Sequence, residues 1–112
     1  MNNDNKNCYV QTFQWVMNNI HDPEDIRNLH YKVVHCTVEG KGKLEGFRFH
    51  HSFIRMLDFA IDPQAIAKGS NGIFDFQSYC DYGKIENAVE YSMVKYQLNC
   101  VKYGHYGPFD KL

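Results

Sequence analysis

Residues 84–103 constrain the fold most, because this segment contains no proline or glycine to interrupt regular structure. At about 100° per residue, five of its apolar residues fall within about 80° of one direction. They are Ile85, Ala88, Val89, Met93 and Tyr96. The spacing predicts an amphipathic helix over residues 86–97, with this stripe packed on a core.

Two reactive side chains lie at the edge of the predicted stripe. Tyr91 and Lys95 are four residues apart, which makes them neighbours on a helix surface. A phenol oxygen can attack a phosphate, and an ammonium can balance the charge that develops. An ordinary amphipathic helix with a half-buried tyrosine explains the same pattern. We predict Tyr91 as the nucleophile, ahead of Tyr79, Tyr82 and Tyr96.

The composition is that of one folded domain. The 112 residues are 44% hydrophobic and 15% aromatic, which is enough for a core. No apolar run approaches the roughly 18 residues of a membrane span, and the polar start MNNDNKN lacks a signal region. We predict one intracellular domain over residues 1–112, with a flexible tail at 1–7 and no membrane partner.

The cysteines and charges narrow the class of protein further. The four cysteines are widely spaced and form no CxxC, which argues against a zinc ribbon or a redox pair. A net charge of −1 counts against a generally basic nucleic-acid binder. Basic residues nevertheless crowd one quarter of the chain: Lys41, Lys43, Arg48 and Arg55. This cluster is a candidate nucleic-acid contact.

The order of predicted elements indicates an α+β fold. The two central strands, 31–39 and 46–56, are joined by a short glycine-containing turn and should pair antiparallel. The order β-α-β-β-α-β-α-β predicts a ferredoxin-like antiparallel sheet with helices packed on it. The other predicted strands are 8–17, 72–77 and 99–105. The predicted helices are 22–29, 86–97 and a helix within 57–68 that starts at Asp62-Pro63 and stops at Gly69.

Three segments then appear in an order seen in a known family. The first is FQWVMNN at 13–19, followed by an Asp-Pro-Glu helix start, and the second is FHHSFIRM at 49–56. The third is YSMVK at 91–95. Over nearly its whole length the chain resembles the N-terminal endonuclease domain of rolling-circle replication initiators (Rep) of small circular single-stranded-DNA viruses, which belong to the HUH endonuclease group.

This resemblance implies an activity, a substrate and partners. The expected reaction is sequence-specific nicking and joining of single-stranded DNA at an origin stem-loop, with Tyr91 as nucleophile, Lys95 beside it and Mn²⁺ or Mg²⁺ as cofactor. It also implies the host nucleus as location for a eukaryotic virus, and self-association of the full-length protein. No GxxxxGK[ST] motif occurs, so no ATPase site is predicted here.

The metal site departs from the family pattern. Phe49 stands where the first family ligand is expected, and His51 takes the second position. A bulged strand, another ligand or an inactive site would each account for Phe49. Placing His51 on the same sheet face as Glu39 and His35, we predict Glu39 and His51 as ligands, with His50 next. The Tyr91-to-Lys95 step is four residues, where three is common in these viruses.

The predicted contacts to DNA come from the same comparison and from the basic cluster. They are Asn18, Asn19, Lys41, Lys43, Arg48 and Arg55. Two other functions fit the sequence. One is a plasmid or transposon relative with the same chemistry. The other is a non-catalytic ferredoxin-like module that binds single-stranded nucleic acid or a protein partner, which Phe49 and the near-neutral charge favour.

Overall fold

The computed structural model describes residues 7–109 and shows an α+β fold, as predicted. Four helices pack on one five-stranded antiparallel sheet, whose strand order is β4-β3-β2-β1-β5. The strands are β1 (Tyr31–Glu39), β2 (Arg48–Met56), β3 (Phe59–Ile61), β4 (Ile73–Asp75) and β5 (Glu86–Ser92). The helices are α1 (Cys8–Asn19), α2 (Pro63–Ala67), α3 (Phe76–Gly83) and α4 (Met93–Tyr103).

Alternation along β1 and β2 builds a core on each face of the sheet. Val33 and Ile54 face α1 and α4, while Val34 and Phe53 face α3; all four are at most 1% exposed. We call these sides the α1/α4 face and the α3 face. Directly paired residues of antiparallel strands share a face, so the register fixes the side on which every strand residue lies.

Residues 8–17 were predicted as a strand, and this is wrong because they belong to α1. The segment is rich in strand-forming residue types. Its buried residues, however, recur at helical spacing: Tyr9, Thr12 and Val16. The Asn7 side chain caps the helix by accepting a hydrogen bond from the Tyr9 N–H at 2.7 Å. Asn7 is therefore not part of a flexible tail, and residues 1–6 of that prediction lie outside the described residues.

The predicted helix at 86–97 is also wrong, because it combines two elements. Residues 86–92 form β5, in which Tyr91 pairs with Val33 of β1. The helix α4 begins at Met93, where the Ser92 hydroxyl accepts a hydrogen bond from the Lys95 N–H at 3.1 Å. The predicted strand at 99–105 lies mostly within α4. The predicted apolar stripe therefore joined residues of a strand, such as Val89, to residues of a helix, Met93 and Tyr96.

The remaining elements are partly as predicted. The antiparallel pair formed by β1 and β2 is confirmed. The helix start predicted at Asp62-Pro63 is confirmed in α2, and the residues before it form β3, which was not predicted. The strand predicted at 72–77 contains β4, but its last two residues belong to α3. The turn predicted at 81–83 is also part of α3. Only one 3-10 turn, Ile26–Asn28, forms in the predicted 22–29 helix.

Candidate functional site

A pocket of about 230 Å³ lies on the α1/α4 face of the sheet and brings Tyr91 together with two histidines. Its walls come from three strands, from α1 and from the C-terminal segment. The polar residues that line it are Tyr9, His35, Thr37, His50, Asn87 and Tyr91. We call it the Tyr91 pocket.

The strand register explains why these residues meet. Thr37 lies opposite His50 across β1 and β2, and His35 lies opposite Val89 across β1 and β5. The β1–β5 register shifts between His35 and Thr37, and Asn87 has a φ of 56° there. This β-bulge adds a residue to β5, and Asn87, which sits in the bulge, lines the pocket.

Tyr91 is held firmly at the wall of the pocket. Its ring lies 5.2 Å from the His35 ring and 5.5 Å from the Phe109 ring, measured between centroids. Gly107 crosses so close to His35 and Tyr9 that a Cβ at this position would overlap the His35 ring. The C-terminal segment therefore packs against the inner wall, and Tyr91 is partly buried rather than on an exposed helix.

Tyr9 brings a buried hydroxyl to the same pocket. The residue is 7% exposed, and burial raises the pKa of its phenol. Its hydroxyl makes no hydrogen bond within the described part of the chain. A buried hydroxyl without a hydrogen bond destabilises the folded protein. A ligand oxygen that accepted a hydrogen bond from it would remove this cost, and binding of the ligand would be strengthened.

Lys95 is not beside Tyr91 as predicted. It lies on α4, is exposed, and does not line the Tyr91 pocket. The prediction assumed that both residues share a helix surface. Because Tyr91 lies on β5 and the helix begins only after Ser92, that relation is lost.

The three predicted metal ligands do not meet. His51 lies opposite Cys36 on the α3 face, whereas Glu39 and His35 lie with His50 on the α1/α4 face. The prediction that His51 shares a face with Glu39 and His35 is therefore wrong. The Glu39 carboxylate accepts a hydrogen bond from the Gly46 N–H at 3.3 Å and pairs with Lys84 at 3.6 Å. Within residues 7–109 no three His, Cys, Asp or Glu side chains group to hold an ion.

The Mn²⁺ or Mg²⁺ ion therefore stays a prediction. Glu39, His50 and His51 do not fit one ion in this arrangement, because the sheet separates His51 from His50. His35 shares the pocket with His50 but brings no carboxylate with it.

His51 instead belongs to a buried polar network that sequence reasoning missed. Its Nε2 lies 2.8 Å from the Tyr79 hydroxyl and 3.4 Å from Asp62 Oδ2. The Tyr79 hydroxyl donates to Asp62 Oδ2 at 2.6 Å. Burial alone would lower the pKa of His51, but Asp62 and the neighbouring Cys8 thiol raise it to about 9. Bonds from His51 and Tyr79 outweigh burial and lower the pKa of Asp62.

Of the basic residues predicted to contact DNA, Arg48 is hydrogen-bonded to a residue that lines the Tyr91 pocket, Thr37. Its guanidinium donates to the Thr37 carbonyl and hydroxyl, each at 2.9 Å, and lies 3.6 Å from Glu86. Lys43 is exposed in the connection between β1 and β2. Lys41 stacks on the Tyr82 ring at 4.1 Å.

The other predicted DNA contacts lie elsewhere. Arg55 is on the α3 face, paired with Glu90 at 2.8 Å and stacked 3.8 Å from the Phe76 ring. Asn18 and Asn19 end α1, where the Asn19 amide donates to the Trp15 carbonyl at 2.8 Å. Neither asparagine lines the Tyr91 pocket. The structure therefore does not bring the six residues into one surface.

Comparison with known proteins gives no relative for this chain. No family model matches it, and no curated protein or solved structure matches it. None of the helices within residues 7–109 has the length and apolar character needed to cross a membrane. The function is therefore inferred from the residues and their geometry.

Proposed function

We propose that this domain nicks and rejoins single-stranded DNA at an origin stem-loop, with the Tyr91 phenol as nucleophile. One observation carries the proposal: Tyr91, His35 and His50 line the same pocket on one face of the sheet. A tyrosine beside imidazoles, at a pocket open to solvent, has both a nucleophile and a group to accept its proton.

The reaction is a transesterification. The Tyr91 oxygen attacks the phosphorus of a DNA phosphodiester, forming a new O–P bond while the P–O3′ bond breaks. The 5′-phosphate stays on the tyrosine, and the leaving 3′ oxygen takes up a proton. We assign acceptance of the phenol proton to His50, which is exposed and lines the pocket. The reverse reaction rejoins the strand.

Charge on the transferred phosphate requires donors, because phosphoryl transfer depends on positioning and electrostatic stabilisation. The buried Tyr9 hydroxyl and Asn87 supply neutral donors at the pocket wall. Arg48 supplies a cation next to the pocket, because its guanidinium is hydrogen-bonded to Thr37, which lines the pocket. A divalent ion, when bound, would polarise the scissile phosphate as a Lewis acid. We assign no step to it, since the predicted ligands do not converge.

The hairpin between β1 and β2 supports a single-stranded partner. Phe47 is 61% exposed there, close in sequence to the exposed Lys43 and to Arg48. Single-stranded nucleic acids are commonly bound by aromatic rings that stack on bases and cations that follow the backbone.

In line with this function we propose that the protein acts in the host nucleus when the host is eukaryotic. We also propose that the full-length protein associates with itself.

The test is a covalent adduct. A labelled stem-loop oligonucleotide is incubated with the domain with Mn²⁺, with Mg²⁺ or with a chelator, and denaturing gels report protein joined to DNA. We expect an adduct that disappears in Tyr91→Phe. Tyr103→Phe is the matched control, because Tyr103 is 45% exposed on α4 and lies outside the pocket. An adduct of equal yield in Tyr91→Phe would refute the role of Tyr91.

A second candidate is a non-catalytic module for single-stranded nucleic acid. It is favoured by the separation of His50 and His51 on opposite sheet faces, which removes the expected ligand set. It predicts oligonucleotide binding without an adduct under every metal condition. Phe47→Ala would then weaken binding, while Tyr91→Phe would leave it unchanged.

A further inference from the structure

A second pocket lies next to α3 and has no part in the proposed nicking reaction. Its volume is about 510 Å³, within the range of roughly 300–1,000 Å³ that is typical of small-molecule sites. Three aromatic rings, two carboxylates and one hydroxyl line it: Asp62, Phe74, Asp75, Ser78, Tyr79 and Tyr82. We call it the Tyr79 pocket.

Helical spacing explains why these residues meet. Asp75 caps α3, and Ser78, Tyr79 and Tyr82 follow it at the spacing that places residues on one side of a helix. Phe74 precedes the cap on β4, and the remaining residue of the pocket comes directly after β3, the strand that pairs with β4. The Tyr79 pocket is therefore formed where α3 packs beside the β3–β4 end of the sheet.

The wall at Tyr79 is fixed by the core of the domain. The Tyr79 ring lies 4.7 Å from the Phe53 ring and 5.3 Å from the Phe74 ring, measured between centroids. Its hydroxyl donates to Asp62 Oδ2 at 2.6 Å, and Phe53 is fully buried. A ligand that packed on this wall would not have to order it, which lowers the entropic cost of binding.

Tyr82 adds an accessible ring to the fixed wall. The residue is 72% exposed, so a ligand in the pocket can reach its side chain. The Lys41 ammonium lies 4.1 Å from the centroid of this ring, although Lys41 does not line the pocket. Aromatic rings attract cations through the negative potential of their faces. The contact with Lys41 shows that the Tyr82 ring takes part in such an interaction within this chain.

The charges that line the pocket favour a cation. The lining residues include no lysine, arginine or histidine. Asp62 is already paired with His51 Nε2 at 3.4 Å, outside the pocket lining. Asp75 is exposed, and within residues 7–109 no basic side chain forms an ion pair with it. Asp75 therefore supplies a carboxylate that a positively charged ligand can reach at the edge of an aromatic pocket.

We propose that the Tyr79 pocket binds a small organic cation, an ammonium group attached to an apolar or aromatic body. The body packs against Phe74, Tyr79 and Tyr82, and the ammonium lies beside the Asp75 carboxylate. Carboxylates disfavour a polyanion such as DNA at this position. The site is independent of the nicking reaction, because the Tyr79 pocket and the Tyr91 pocket share no lining residue.

Three ligands of similar size and different charge test the proposal. The whole chain, labelled with ¹⁵N, is titrated at neutral pH with benzylammonium, benzyl alcohol or benzoate, and amide chemical shifts report both affinity and location. We expect saturable shifts in residues 74–82. Benzylammonium should bind about fivefold tighter than benzyl alcohol, as one exposed ion pair allows, and benzoate should bind more weakly than either. Equal affinities for the three ligands, or shifts centred outside residues 74–82, would overturn the proposal.

A variant of Asp75 tests the role of its charge. Asp75→Asn removes the charge but keeps a residue that caps helices equally well, so α3 should be retained. It should abolish the fivefold preference for benzylammonium and leave the affinity for benzyl alcohol unchanged. Asp81→Asn is the matched control, because Asp81 is exposed on α3 and does not line the pocket. A preference for benzylammonium that persisted in Asp75→Asn would contradict this placement of the cation.

A variant of Tyr82 tests the aromatic wall. Tyr82→Ala should weaken both benzylammonium and benzyl alcohol by about threefold, because each loses a ring contact. Since Tyr82 is largely exposed, the fold should tolerate the change. Tyr103→Ala is the control, at a 45% exposed tyrosine outside the pocket. Unchanged affinities in Tyr82→Ala would contradict the assignment of this ring to the site.

Discussion

The two faces of the sheet treat neighbouring histidines in opposite ways. His50 lines an open pocket with Tyr91 on the α1/α4 face, whereas His51 is bound by Asp62 and Tyr79 on the α3 face. On the α1/α4 face the histidine and tyrosine side chains line a pocket that a ligand can reach. On the α3 face a histidine and a tyrosine are hydrogen-bonded to each other, and with Asp62 they join β2 to α2 and α3. A histidine pair in a strand sequence therefore need not form one site, because successive residues point to opposite faces.

The largest expected effect tests the core beneath the His51 network. Phe53 is fully buried, and its ring lies 4.7 Å from the Tyr79 ring. Phe53→Ala should lower the free energy of unfolding by about 3–5 kcal/mol, measured by urea denaturation. Phe59→Ala, at a 48% exposed position on β3, is the control and should cost far less. Similar costs for the two would mean that the α3 face has no well-packed core.

The next prediction separates the His51 network from simple helix capping. Asp62→Ala leaves a buried imidazole without its carboxylate and should cost about 2–4 kcal/mol of unfolding free energy. Asp75 caps α3 in the same way, through the Ser78 N–H at 3.0 Å, but is exposed. Asp75→Ala should therefore cost only about 1 kcal/mol. Equal losses would assign Asp62 to capping alone.

The raised pKa of His51 makes one contribution to stability depend on pH. A pKa of about 9 in the folded protein, above the usual value near 6.5, means that protonated His51 favours the folded state. The contribution, at most about 3 kcal/mol, is fully present below pH of about 6.5 and is lost as pH rises through about 9. The stability advantage of the wild type over His51→Gln should fall across this window in denaturant titrations. A constant advantage would contradict the ion pair.

The smallest effect concerns the α1/α4 face. The Ser52 hydroxyl donates to the Thr12 hydroxyl at 3.0 Å, and both residues are fully buried. Ser52→Ala should lower the free energy of unfolding by about 1 kcal/mol, because Thr12 loses its donor. The double variant with Thr12→Val should recover part of this loss, since both polar groups are then absent. A double variant less stable than the sum of the single ones would exclude this pairing.

The sequence predicted the parts of the fold that depend on short-range pattern. The strands β1 and β2 alternate and are joined by a short turn, so their antiparallel pairing followed. The α2 start followed from Asp62-Pro63. The segment that became α1 was misassigned because strand-forming residue types outweighed its helical spacing. The change from strand to helix at Ser92 was missed because one apolar stripe spans both elements.

The candidate sites depend on contacts that no local pattern encodes. Tyr91 was predicted as the nucleophile, and it does lie near His35, but through strand pairing rather than on a helix. The residues that bind His51 are distant from one another in sequence. Tyr79 is 28 residues from His51, and the hydrogen bond between Tyr79 and Asp62 joins residues that are 17 positions apart. Folding of α2 and α3 over the sheet brings them together. Only the N-cap position of Asp62 was visible beforehand.

The most direct test of the separation between the two faces is to locate the residue that joins to DNA. After reaction with a stem-loop oligonucleotide, protease digestion and mass spectrometry would identify the modified peptide. We predict a nucleotide mass on Tyr91 alone, with Tyr79 unmodified because its hydroxyl is bonded to Asp62 and His51. Attachment to Tyr79, or to any residue of the α3 face, would contradict the assignment of the reactive site to the Tyr91 pocket.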